Sequence, residues 1–147
     1  MAFRFRTERH LDTSEAALLH ALRFELSAVR PQMISGDRLK TTEIRDAMAP
    51  SLERRGFLFS DSHGAFVNTD GVALTIHGGR AFTNNEAVWR LLQLAGRPRT
   101  RAVVAVVPQT YKGGACASKV EQQLEELARN RGVAIDLAWA AHIAYKL

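Results

Sequence analysis

The chain has 147 residues, 46% hydrophobic and 24% charged, close to the globular average and enough for one domain with a sizeable core. That composition excludes a disordered tail, a collagen-like repeat and a coiled-coil rod, and no apolar run approaches the roughly 18 residues a membrane helix needs. Twenty Lys and Arg against fifteen Asp and Glu leave a net charge of +5, and sixteen of the twenty cations are Arg. The planar guanidinium grips phosphate through paired bonds, so an Arg-heavy basic chain suits a polyanionic partner; a GC-rich coding bias produces the same surplus without a functional cause. The lone cysteine, Cys116, excludes an internal disulfide framework and a multi-cysteine zinc site. The opening MAFRFRTERH carries charges but no apolar signal-peptide stretch, so a cytoplasmic, single-domain chain spanning 1–147 is expected.

The first helix is predicted from about Asp12 to Arg30. Asp12 is a good N-cap and Glu15, three residues on, completes a capping box, while Leu18, Leu22, Leu26 and Val29 recur at helical spacing up to Pro31. After a loop with a Gly36-Asp37 turn signal, a second helix is predicted from about Thr41 to Arg55, with Ile44, Met48 and Leu52 on one face. Pro50 should kink or restart it, and Gly56 should stop it.

The period then changes from helical to extended. Phe57–Phe59, Ala65–Val67 and Val72–Ile76 are short β-prone runs separated by turn signals, Asp61-Ser62-His63-Gly64 and Thr69-Asp70-Gly71, which predicts three antiparallel strands. In the third strand, alternation sets Val72, Leu74 and Ile76 on one face and Ala73, Thr75 and His77 on the other. Thr83-Asn84-Asn85-Glu86 matches a capping box, and Val88, Leu91, Leu92 and Ala95 give the helix that follows an apolar face. Ala102–Val107, six apolar residues in succession, reads as a strand covered on both sides. Gly113-Gly114 then opens a helix from about Ala115 to Asn130, and the tail supplies one or two more strands. The predicted order is α-α-β-β-β-α-β-α-β, an α/β fold with a central mixed β-sheet flanked by helices.

That order, with the local text GDRLKTTEIRDAMAPSLERRGF, VALTIHGGRAFTNNEAVWRLLQLA and AVVAVVPQTYKGGACASKVEQQLEEL, resembles the core of the PD-(D/E)xK nucleases, in particular the type II restriction-endonuclease-like group. The likeness covers about Gly36 to the C-terminus. It implies a restriction-endonuclease-like fold, duplex DNA as partner, Mg²⁺ or Mn²⁺ as cofactor, and a homodimer or a pairing with another subunit. The departure from the family pattern is as informative as the match. Where the family places a metal-binding carboxylate and its partner on the third strand, this chain has Thr75 and His77, and the expected Asp across the hairpin falls near Phe66. Neither Thr nor Phe replaces a carboxylate on a hard dication.

Other residues could make a rearranged centre. Asp70 is the acid within the meander, and Asp70 with His77 is the candidate metal pair; Asp70, His77 and Lys112 are the candidate catalytic set. The Asp-Gly turn explains Asp70 better than a metal role does, Asp61 and His63 suit a polar turn or a displaced site with His77, and the capping box explains Glu86. His77, followed by Gly78-Gly79-Arg80, is expected at the surface. In Tyr111-Lys112-Gly113-Gly114 two glycines let backbone N–H groups face an anion at a helix start while Lys112 adds charge. Arg80, Arg97, Arg99 and Arg101 flank the same helix and strand and, with Lys112, Gly113 and Gly114, form a candidate nucleic-acid track. Cys116 is expected buried and inert.

Three functions follow as expectations. The first is a DNA-binding protein, a degenerate nuclease or nuclease subunit. The second is an active metal-dependent DNA or RNA endonuclease with a rearranged site. The third is a protein-interaction module using an exposed apolar edge near Trp139.

Overall fold

The computed structural model describes residues 5–29, 40–130, 132 and 134–146; the Gly36-Asp37 turn and Arg131 fall outside them. Helix α1 is Thr13–Ser27, and its start is built as the sequence predicts. The Glu15 amide donates to Asp12 Oδ1 at 2.8 Å and the Asp12 amide to Glu15 Oε1 at 2.9 Å, which satisfies two of the donors that a helix start leaves open. Arg6 grips the same Glu15 with both guanidinium nitrogens.

Helix α2, Thr41–Arg54, continues through Pro50 rather than restarting there. Pro50 and Asp46 are both exposed, so the Asp46 carbonyl that loses its amide partner is open to water. Gly56, at φ +83°, ends α2 in the left-handed conformation. Its amide bonds the Glu53 carbonyl and the Phe57 amide bonds that of Leu52, both at 3.0 Å, and the buried Phe57 ring anchors the turn.

The chain continues through β1 (Leu58–Ser60), β2 (Ala65–Val67), β3 (Val72–Ile76), the one-turn helix α3 (Arg80–Thr83), α4 (Glu86–Ala95), β4 (Ala102–Pro108), β5 (Thr110–Tyr111), β6 (Gly114–Ala115), α5 (Ala117–Arg129) and β7 (Trp139–Tyr145). The main sheet has five strands in the order β1-β2-β3-β4-β7. Strands β1, β2 and β3 form the predicted antiparallel meander, while β4 pairs parallel to both β3 and β7. The fold is therefore α/β with a mixed sheet. Beyond the predicted order come a short 3-10 turn at Glu8–His10, α3, and a separate hairpin of β5 and β6.

Each face of the sheet carries its own apolar core. Val72, Leu74, Ile76, Val104 and Val106 pack with α1 and α2 through Leu22, Ile44, Met48 and Leu52. Ala73, Val103, Ala105 and Val107 pack with α4 and α5 through Leu91, Leu94, Val120 and Leu124. All seven residues of β4 are buried, as expected for a strand covered on both sides. Each large aliphatic side chain so buried contributes about 1.5–3 kcal/mol relative to exposure, which makes the central strand the stable frame for what it carries at its ends.

Trp139 does not sit on an exposed apolar edge. It is buried in the α1/α2 core, and Arg6 bridges the outer edge of β7 beside it. The exposed indole is Trp89 on α4. Among the described residues no helix is long and apolar enough to cross a membrane.

Candidate functional site

Strands β3, β4 and β7 point their carboxyl ends the same way, and loops leaving that end of an open α/β sheet are where such folds build ligand sites. Here they surround a cleft of about 870 Å³, its wall made by Lys40 and Thr41 at the start of α2, the bend Gly78-Gly79-Arg80, Thr83 and Asn84, and the hairpin residues Tyr111 and Lys112. Glu86, in the first turn of α4, lies on its floor. Among the described residues, three cations and one half-buried carboxylate therefore line the same cleft.

Beneath the floor a polar chain crosses from sheet to helix. His77 Nδ1 lies 3.0 Å from Glu86 Oε1 and His77 Nε2 2.7 Å from Thr75 Oγ1. The imidazole bond, with the nearby charges of Arg80 and Arg90, holds the Glu86 carboxyl below the usual carboxylate range against the opposing effect of burial. An ionised Glu86 accepts, so Nδ1 is the donor; in the neutral ring Nε2 then accepts from the Thr75 hydroxyl. The Tyr145 hydroxyl donates to the His77 carbonyl at 2.7 Å, and burial pushes its pKa upward, so it stays a donor. Gly79 completes the cleft by having no side chain: a Cβ there would come within 2.3 Å of the Tyr111 ring, which packs directly on its backbone.

A hydroxyl, an imidazole and a carboxylate in series resemble an activated nucleophile. Thr75 and His77, however, are each 1% exposed, and the hydroxyl end of the chain is walled by the α4/α5 core, out of reach of a reacting group. The arrangement is a strut that fixes α4 on the sheet and aims Glu86 at the cleft.

Several expected placements are corrected by this geometry. His77 is buried rather than at the surface, because the alternation that sets it beside Ala73 and Thr75 turns it under α4. Glu86 does not close a capping box with Thr83. Thr83 is spent as the last residue of α3, and the N-cap of α4 is Asn85, at φ 54° and without a side-chain cap bond. Asp70 and His77 stand at opposite ends of the five-residue β3, roughly 20 Å of chain apart at about 3.3 Å per residue, and cannot share one ion or one catalytic centre. Asp70 is exposed in a turn organised by Asn68, whose Oδ1 accepts from the amides of Asp70 (3.1 Å) and Val72 (2.9 Å).

The expected phosphate track also divides. Arg80 and Lys112 reach the cleft, whereas Arg97, Arg99 and Arg101 lead into the amino end of β4, at the other edge of the sheet layer. Arg97 is already bonded to the Ser62 carbonyl, and Arg90 to those of His63 (2.5 Å) and Gly64 (3.0 Å), so two α4-side arginines pin the turn holding Asp61 and His63. Gly113 and Gly114 do not open α5. Lys112 and Gly113, at φ 50° and 78°, form the two-residue turn between β5 and β6, with Tyr111 paired to Gly114 across it, and α5 starts later, at Ala117. Cys116 is buried as expected, and burial pushes its thiol pKa up.

Among the described residues the donor set lacks the paired carboxylates that the nuclease resemblance implies for a divalent ion. Both His77 ring nitrogens are engaged within the chain, Thr75 is tied to one of them, and among the described residues Glu86 is the one carboxylate lining the cleft. Mg²⁺ and Mn²⁺ take oxygen ligands, and the described side chains of the cleft offer them one carboxylate. Among the described residues no group of three or more His, Cys, Asp or Glu could hold a metal. Lys40 and the seat of Tyr111 on Gly79 escaped the sequence reading, since nothing local links either to a site some forty or thirty residues away. No family model, curated protein or solved structure matches the chain.

Proposed function

We propose that this protein binds duplex nucleic acid on a restriction-endonuclease-like scaffold whose cleavage centre has been replaced by a hydrogen-bonded strut. The observation that carries the reading is the pairing of two features at one end of the sheet. The strand positions where the resemblance calls for metal carboxylates hold Thr75 and His77, bonded to each other and buried. The cleft at that end of the sheet is lined by Lys40, Arg80 and Lys112. Cations at the mouth attract a phosphate backbone without regard to sequence, and that attraction weakens steeply with salt. Pairing with a second copy or with an active subunit, which two-fold DNA sites favour, belongs to the same reading.

The test is a labelled mixed-sequence duplex titrated with the protein at low and moderate salt, first without divalent ions and then with Mg²⁺ and with Mn²⁺. Salt-sensitive binding with the duplex intact in all conditions is the expected result. Cleavage that disappears in His77→Ala would favour a rearranged endonuclease instead, and a tight oligomer indifferent to DNA would favour an interaction module.

A further inference from the structure

A duplex lying across the mouth of this cleft would touch its rim and leave the interior unused. About 870 Å³ is the size of a small-molecule pocket, with room for a nucleotide. Its charge pattern is also uneven. Lys40, Arg80 and Lys112 contribute to the wall, while the ionised Glu86 lies on the floor, held there by His77. A backbone phosphodiester carries one negative charge, whereas a terminal phosphomonoester carries about 1.5–2 at neutral pH and offers three strong acceptor oxygens. Three cations lining one cleft match the second better than the first. The carboxylate below them repels phosphate from the floor and accepts hydrogen bonds, which sets a dianion at the cationic wall and a sugar hydroxyl inward.

We propose that this cleft captures the phosphorylated end of a nucleic-acid strand, with the terminal monoester among Lys40, Arg80 and Lys112 and the end sugar over Glu86. Tyr111, seated on Gly79, forms the side wall and carries Lys112 at its hairpin tip, with the ammonium 5.5 Å from the ring centre. The inference rests on the nucleic-acid reading above and adds to it which part of the strand is held.

The test uses one duplex sequence, internally labelled, in four forms: 5′-phosphate ends, 3′-phosphate ends, hydroxyl ends, and a covalently closed dumbbell. Anisotropy titrations of the whole protein should show one phosphorylated form binding at least about tenfold tighter than the hydroxyl form, the weight of one charge-assisted hydrogen bond. Whichever of the 5′ and 3′ forms gains identifies the end. Lys112→Ala, at an exposed hairpin tip, should remove the preference, and Arg99→Ala, at the other end of the sheet, should keep it. Equal binding of all four forms overturns end capture and leaves nucleic-acid binding standing. No binding of any form overturns both.

Discussion

His77 Nδ1 lies 3.0 Å from Glu86 Oε1, so a buried imidazole just past the third strand holds a partly exposed carboxylate in the first turn of the crossover helix. With Thr75 on the other ring nitrogen, three side chains that local patterning assigns to separate tasks act as one unit. The unit should be visible as thermodynamic coupling. His77→Ala leaves a cavity and a buried hydroxyl without its partner, and should cost about 2–4 kcal/mol. Thr75→Val keeps the shape but strips the imidazole of its donor, and should cost about 1–3 kcal/mol. Urea unfolding of the two single variants and the double variant should give a double-variant loss smaller than the sum by about 0.5–3 kcal/mol. Strict additivity would show that the chain of bonds is not a unit.

The Glu86 bond sets a pH dependence whose sign follows from the lowered pKa. A carboxyl depressed in the folded state contributes stability above its unfolded value of about 4.3, and that contribution is lost as pH falls through the folded value. Because Glu86 is half-exposed, solvent screening limits the effect to below about 1 kcal/mol. Glu86→Gln should therefore lower stability slightly at neutral pH and leave it unchanged in strong acid, narrowing the gap to wild type below about pH 4. Glu8, held down chiefly by its bond from Arg23, keeps a residual acid sensitivity in the variant. Melting temperatures across pH 3–7 check this, and a gap that widens in acid would contradict it.

Gly79 should be intolerant for a reason of space rather than backbone conformation. Its φ of −64° suits any residue, but a Cβ would collide with the Tyr111 ring at 2.3 Å. Gly79→Ala should displace the β5/β6 hairpin and carry Lys112 away from the cleft. Nucleic-acid affinity should fall several-fold while thermal stability changes little, since the hairpin is paired apart from the main sheet. Unchanged affinity in a folded Gly79→Ala variant would show that Tyr111 does not form the wall of the binding site.

The frame of this fold was legible because each of its elements carries a local signature. The Asp12–Glu15 capping box, the Gly56 stop, the Asp70-Gly71 turn and the unbroken apolar run Ala102–Val107 all speak within a few residues of themselves. The alternation of β3 placed Thr75 and His77 on one face correctly. What it could not show was which helix covers that face, so His77 read as a surface residue beside two glycines. Thr83 and Glu86 have the spacing of a capping box, and nothing in that spacing reveals that a tertiary partner nine residues earlier claims the carboxylate. The basic track failed for the same reason: Arg80 and Arg97 flank α4 in sequence, and a ten-residue helix of about 1.5 Å per residue carries them to opposite ends of the sheet layer.

The most direct test of the central claim is the salt dependence of duplex binding, measured by anisotropy for the wild type and for the combined Lys40→Ala, Arg80→Ala, Lys112→Ala variant. Three phosphate contacts alone should weaken wild-type binding roughly fortyfold between about 50 and 200 mM salt, and the slope should fall by close to three in the variant. The corresponding combination at Arg97, Arg99 and Arg101 should leave the slope near that of wild type. Binding that ignores salt, or a slope lost at those three arginines and kept at the cleft, would contradict the account.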